Sequence, residues 1–226
     1  MQKLSFIIAL SFVLVSMSAS AQSPSPAERP EGAGAAKLLE KMSWDEAERV
    51  LTPDAVIVIA LGAESKEHGR HLQLNNDFVM AEYLKNRVLA AGPVKVVVAP
   101  TINYSYYPAF LEYPGSTSLK LETARAMFTD IIHSLAHYGP RRFYILNTGF
   151  STLRPLAQAA DELAKDGILL RYTDLSKEDP VEKKLRKSEG THADEVETSM
   201  MLFIAPETVR MQKAARDLNP HGTGPL

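Results

Sequence analysis

With 226 residues, 45% of them hydrophobic and 23% charged, the chain is long enough for one well-packed domain and too short for two large ones. Its 25 basic and 27 acidic residues leave a formal charge of −2, which gives no electrostatic footprint for nucleic acid. The absence of cysteine excludes a disulfide framework and thiolate chemistry, so any metal must rest on histidine and carboxylate ligands.

The first 21 residues read as a secretory leader. Lys3 supplies the positive start, LSFIIALSFVLV the apolar core, and Ala19-Ser20-Ala21 a small-residue cleavage site ahead of Gln22. A membrane anchor is the competing reading, but SMSAS and the polar QSPSPAERPEGAG interrupt the apolar run well short of a spanning length. The expectation is therefore a periplasmic or secreted protein with no membrane contact once the leader is cleaved. Residues 22–34 have the Pro, Ser and Gly content of a flexible linker, and the folded domain is expected over 35–226.

AAKLLEKMSWDEAERVLT has apolar positions at helical spacing, with Ser43 as an N-cap and Glu46 three residues on, and predicts two short helices. AVIVIALG (55–62) and VKVVVAP (94–100) are continuous β-branched runs, as expected for strands covered on both faces; FYILN (143–147) and ILLRYTDL (168–175) follow the same pattern. Between them lie helical segments at 77–91, 120–138 and 153–166, with another near 194–204. In the second, Ala124, Met127, Phe128, Ile131, Ile132 and Leu135 share one face. Strand and helix in strict succession predict an α/β fold of three layers, α/β/α, around a mostly parallel sheet. No internal repeat is present.

Ligands of such sheets bind where loops converge at the carboxyl ends of the strands. The loop after the first long strand contains KEHGRHLQLNND (66–77), in which His68, His71 and Asp77 are donors suited to Zn²⁺ or Mn²⁺, with Glu64, Glu67 and His192 able to complete a shell. The spacing is not H-E-x-x-H, and the alternative is that one histidine caps the following helix and the other packs beneath a loop. Tyr104, Tyr106, Tyr107 and Phe110, after the second long strand, have the make-up of a substrate wall, yet an aromatic-rich loop at a sheet edge reads first as packing or an oligomer interface. SKEDPVEKKLRKSEG is a solvated charge run. His133 and His137 are four apart on a helix, and the simpler reading is two surface histidines.

GAESKEHGRHLQLNND resembles the creatininase (creatinine amidohydrolase) family, whose pattern here is G-x-x-E-Q-H-G-P-H-L-P-L-x-x-D. YPGSTSLKLETA and HADEVETSMMLFIAPETVRM are similar to two further family segments, and HSLAHYGPRRFYILNTG tracks the lead-in to a family N-G-H; the resemblance runs from about residue 37 to 213. It implies a three-layer fold, assembly as a homo-oligomer, and a two-metal site that hydrolyses a cyclic amide or related C–N bond of a small molecule. His68 and Asp77 match two of the family's five metal-ligand positions. Lys66 stands where the family has a glutamate, and Gly149 and Ser151 occupy the other two. His192 matches the histidine implied to handle protons, and Glu197 the acid of E-T-S; both residue types suit proton transfer near neutrality.

Two functions follow from that mixture. One is an amidohydrolase with one divalent ion, Zn or Mn, held by His68, Asp77 and a replacement ligand among Glu64, Glu67, His71 and His192, with His192, Glu197 and Lys66 as the catalytic groups. The other is a metal-free, non-catalytic protein of the same fold that binds a small polar ligand, for which Lys66 is the main evidence.

Overall fold

The run Val56–Leu61 becomes the central strand of a five-stranded sheet in a computed structural model of the chain. Described are residues 36–92, 95–177, 184 and 192–215; the leader, the linker, most of the charge run and the C-terminal residues from 216 lie outside them. The strands are β1 (Lys37–Leu38), β2 (Val56–Leu61), β3 (Val96–Ile102), β4 (Arg142–Asn147) and β5 (Leu169–Tyr172), in the spatial order β1-β3-β2-β4-β5. All pairings among them are parallel, with Ile57 opposite Val97 on one side and Phe143 on the other.

Parallel neighbours need crossovers, and helices supply them. These are α1 (Trp44–Val50), α2 (Asn76–Ala91), α3 (Leu121–Ala136) and α4 (Leu153–Lys165), followed by α5 (Glu195–Ile204). Ile57, Ile59 and Leu61 of β2 share the main core with Phe128 and Ile132 of α3 and Leu156 and Leu163 of α4. Met80 of α2 packs instead with Met201 of α5 in a separate cluster on the other face, so the sheet lies between two helical layers. Among the described residues no helix is long and apolar enough to cross a membrane.

Gly62, just past β2, allows α2 to close onto the sheet. A Cβ there would lie 2.2 Å from the Asp77 carbonyl oxygen and 2.8 Å from the Ala81 Cβ, so only glycine fits. From β2 the chain turns through α2 to β3 on one side, and from β4 through α4 to β5 on the other. The carboxyl ends of β2 and β4 therefore border the crevice where a doubly wound sheet reverses direction.

Three expectations need correction. The first of the two short helices is instead β1 followed by a single 3₁₀ turn, Leu39–Lys41, while Ser43 and Glu46 do start α1, the Glu46 carboxylate accepting the Ser43 backbone N–H at 2.8 Å. Tertiary demand outweighs helical spacing here: Lys37 and Leu38 pair with Val97 and Val98 on the open edge of β3. Lys85 of α2, nearly buried, reinforces that placement by donating to Thr101 Oγ1 at 3.0 Å and approaching Glu82 at 2.8 Å and Glu40 at 3.7 Å. Strand β3 runs two residues later than the β-branched run indicates, because an extra residue between Ala99 and Ile102 forms a bulge that accommodates Pro100. Strand β5 ends at Tyr172, short of the expected 175.

Candidate functional site

Asp77 is the second residue of α2 and is fully buried. Its position in the first turn places a negative group where the helix dipole favours one. The 62–75 loop folds back over it, bringing the Lys66 Nζ to 2.6 Å from Oδ2 and the His68 Nε2 to 2.7 Å from Oδ1. The other ring nitrogen of His68 lies 2.8 Å from the Lys66 carbonyl oxygen. Both ring nitrogens thus face oxygen atoms of the chain. Burial pushes the Asp77 carboxyl up, but the charges of His68 and Lys66 outweigh it and hold the group well below the usual carboxylate range.

Beneath the ammonium lie two aromatic faces, Phe110 at 4.9 Å and Tyr107 at 5.5 Å from Nζ to ring centroid. Tyr107 and Phe110 are buried with Ala63, so two of the four loop aromatics are packing; Tyr104 is exposed.

A second pair flanks the first. His192 Nε2 lies 2.9 Å from Glu67 Oε2, and the other Glu67 oxygen accepts the Gly69 backbone N–H. Desolvation raises the Glu67 carboxyl, yet the hydrogen bond and charge of His192 prevail and lower it. The His192 ring packs 4.5 Å from Phe110 and 5.1 Å from His68, centroid to centroid. Ala193 then takes φ +47°, a left-handed conformation that costs a non-glycine residue energy, and its N–H is received by Glu197 Oε2 at 2.6 Å. Burial, with the nearby Asp77 charge, pushes the Glu197 carboxyl up to about 7. His68, His192 and Glu197 each offer a ligand atom within 4.8 Å of the others.

Lys66, Glu67, His68, Asp77, His192 and Glu197 thus come together. His71 does not join them: its Nε2 lies 2.9 Å from the Thr198 hydroxyl and its carbonyl accepts the Arg210 N–H, so it ties the loop to α5 and the tail. Glu64 is exposed and accepts from the Asn103 side chain at 2.6 Å. His133 is half-exposed and lies 3.0 Å from Asp166 on the surface. At the end of β4, Asn147 donates to the Gly149 carbonyl at 2.8 Å. Gly149 tolerates a Cβ, which would meet Thr152 Oγ1 at 3.6 Å and Asp77 Oδ2 at 3.9 Å, ordinary contact distances.

The family model described as Creatininase: Creatinine amidohydrolase matches residues 40–225. The chain belongs to the creatininase family. It is 29% identical over 195 residues to the creatinine amidohydrolase of Pseudomonas putida, covering 76% of this chain and 74% of that protein. Among solved structures, a manganese creatininase superposes with a TM-score of 0.64 at 26% identity, over 80% of this chain and 77% of the other. A mutant creatininase of Zn-Zn type gives 0.62 at 25%, over 79% and 76%.

These creatininases carry Zn or Mn, and the donors of this chain do not fit a two-metal centre of that kind. Of the five ligand positions that the resemblance implies, Lys66 puts a cation at one, and Gly149 and Ser151 put no strong ligand at two more. A dication on Asp77 would face the Lys66 ammonium at about 4 Å, a repulsion of several kcal/mol at an intermediate dielectric. His68, His192 and Glu197 are the donors among the described residues that could share a single ion. The His68 Nε2 is turned to Asp77 Oδ1 at 2.7 Å.

Proposed function

We propose that the chain binds a small polar molecule with amide-type C–N groups in a metal-free form of the creatininase site. The observation that carries this reading is the buried group of Lys66, Asp77 and His68, a set of charges expensive to bury without purpose and located at the crevice where such sheets take ligands. Strongly perturbed groups, Asp77 and Glu197, border the same place. Export after cleavage at Gln22 and assembly as a homo-oligomer belong to the same proposal.

Hydrolysis at this site is a second reading, favoured by the Glu67–His192 pair and by Glu197. With Nε2 held by Glu67, Nδ1 is the ring atom left to take a proton from water. Glu197, part protonated at neutral pH, is suited to deliver one to a departing nitrogen.

The test is a thermal-shift and calorimetric screen of cyclic amides, imides and ureas on chelator-treated protein, followed by mass spectrometry of bound compounds for cleavage. Saturable binding without added metal is the expected result, and ring opening of a bound compound would select the hydrolytic reading. Absence of binding across the class would defeat the proposal.

A further inference from the structure

We infer that the Lys66 ammonium is the resident cation of this site, in the charge role that Zn or Mn has in the creatininases above, and that Lys66 and Gly149, joined by Ser151 through the family resemblance, form one linked set of replacements. The inference rests on the site proposed above but concerns what neutralises it rather than what it binds. Asp77 supplies the first argument. It is fully buried and needs a counter-charge, and Lys66 meets it at 2.6 Å from a side chain that is itself only 4% exposed. A metal bound to the same oxygen at about 2.1 Å would compete for that space, so cation and ion are alternatives.

His68 supplies the second. A histidine that ligates a metal turns one ring nitrogen to the ion, whereas the His68 Nε2 is turned to Asp77 Oδ1 at 2.7 Å, the carboxylate that Lys66 meets on its other oxygen. The lysine and the histidine thus close on the same carboxylate from its two sides, and the histidine is also tied to the Lys66 backbone through Nδ1. The third lies beneath: Phe110 and Tyr107 offer ring faces to Nζ, a platform suited to a monovalent cation on a flexible stem.

Gly149 supplies the fourth, from the opposite wall. A Cβ there would make only ordinary contacts, with Thr152 at 3.6 Å and Asp77 Oδ2 at 3.9 Å as the nearest groups, and its φ is not left-handed. No conformational demand for glycine exists there. A side chain is simply missing beside Asp77, on the side of the carboxylate that Lys66 now neutralises.

Metal content by mass spectrometry and thermal denaturation with Zn²⁺ or Mn²⁺ test this on the full chain, compared with Lys66→Glu/Gly149→His/Ser151→Glu. The wild type is expected to carry only substoichiometric metal and to show no rise in Tm with either ion. The triple variant should bind at least one ion per chain and gain several degrees on its addition. Stoichiometric Zn or Mn in the wild type, with Lys66 in place, would overturn the inference, and so would a folded triple variant that ignores both ions. Should the triple variant not fold, Lys66→Met decides: a fall in Tm of several degrees that neither ion reverses is expected, and an unchanged Tm would overturn the inference. Failure of the amide screen with a metal-free wild type would remove the functional reading and leave this one standing.

Discussion

Asp77→Asn isolates the charge at the centre of the site, because the replacement keeps the shape of the side chain and opens no cavity. What it removes is the counter-charge of two buried groups, Lys66 at 3% exposure and His68 at 1%. Breaking a buried ion pair from one side costs about 3–5 kcal/mol, since the remaining charge is stranded. For a folded unit of this size each kcal/mol lowers Tm by roughly 2–4 °C, so a fall of about 6–20 °C is expected. Circular dichroism melts at neutral pH, supported by urea titrations, would measure it. The loss should be the same at pH 6 and pH 8: the folded pKa of Asp77 is depressed, so its contribution is complete above the unfolded value of 3.8 and disappears only as pH falls through the lower folded one. Adding Lys66→Met should restore part of the loss, because the stranded ammonium goes with it, giving a favourable coupling of about 2 kcal/mol or more in a double-mutant cycle. A Tm for Asp77→Asn within about 2 °C of wild type, or no coupling to Lys66→Met, would refute the ion-pair account.

Glu197 carries the opposite pH sign. Its folded carboxyl titrates at about 7 against 4.5 unfolded, so stability is full below 4.5 and declines as pH rises through 7, by up to about 3 kcal/mol; Glu197→Gln should flatten that slope, and an unchanged slope would count against the assignment. Gly62→Ala forces a methyl to within 2.2 Å of the Asp77 carbonyl, a clash with backbone that exceeds the ~1–3 kcal/mol of ordinary overpacking; the variant should express insolubly or melt far below wild type, and a normal melt would show that α2 can move. Glu67→Ala removes a charge-assisted hydrogen bond joining residues 125 apart, worth about 1.5–3 kcal/mol, so amide exchange at Ala193 and Glu197 should quicken about tenfold or more while β2 exchange stays slow. Equal exchange in both proteins would mean that Glu67 does not hold the His192 turn.

The β2 run and the α3 stripe were legible because continuous burial and helical period leave marks in local sequence: Ile57, Ile59 and Leu61 are all buried, and Ala124, Phe128 and Ile132 form the inner face of α3. The opening pair Lys37–Leu38 was not, since its strand state depends on an unpaired edge of β3 that only the assembled sheet presents. Within the site, the polar density of residues 66–77 marked His68, His71 and Asp77 as donors, with Glu64, Glu67 and His192 beside them. Family motifs singled out Lys66 and added Glu197 from far along the chain. What stayed hidden were long-range partners chosen by how loops cross the sheet rim. Glu67 stood among the metal ligands in sequence and pairs with His192; His71 stood beside it and pairs with Thr198. Phe110 and Tyr107, read as a wall for substrate or as packing, also form the floor beneath the Lys66 ammonium, a role no local period records.

Replacing a metal with a lysine changes what the proposed site can do as well as what holds it together. A bound dication polarises a carbonyl and brings the pKa of its water near neutrality, and its occupancy varies with the concentration of free ion. An ammonium already paired with Asp77 does neither; it is fixed by the chain and largely neutralised where it stands. With Lys66 in the metal's place as proposed, a reaction at this site would rest on proton transfer for its catalysis. The groups that border Lys66 and Asp77 without being consumed by them are the Glu67–His192 pair and Glu197. Compounds with good leaving nitrogens, such as imides, should therefore react before unactivated amides, whose expulsion leans on an electrophile that this arrangement no longer provides.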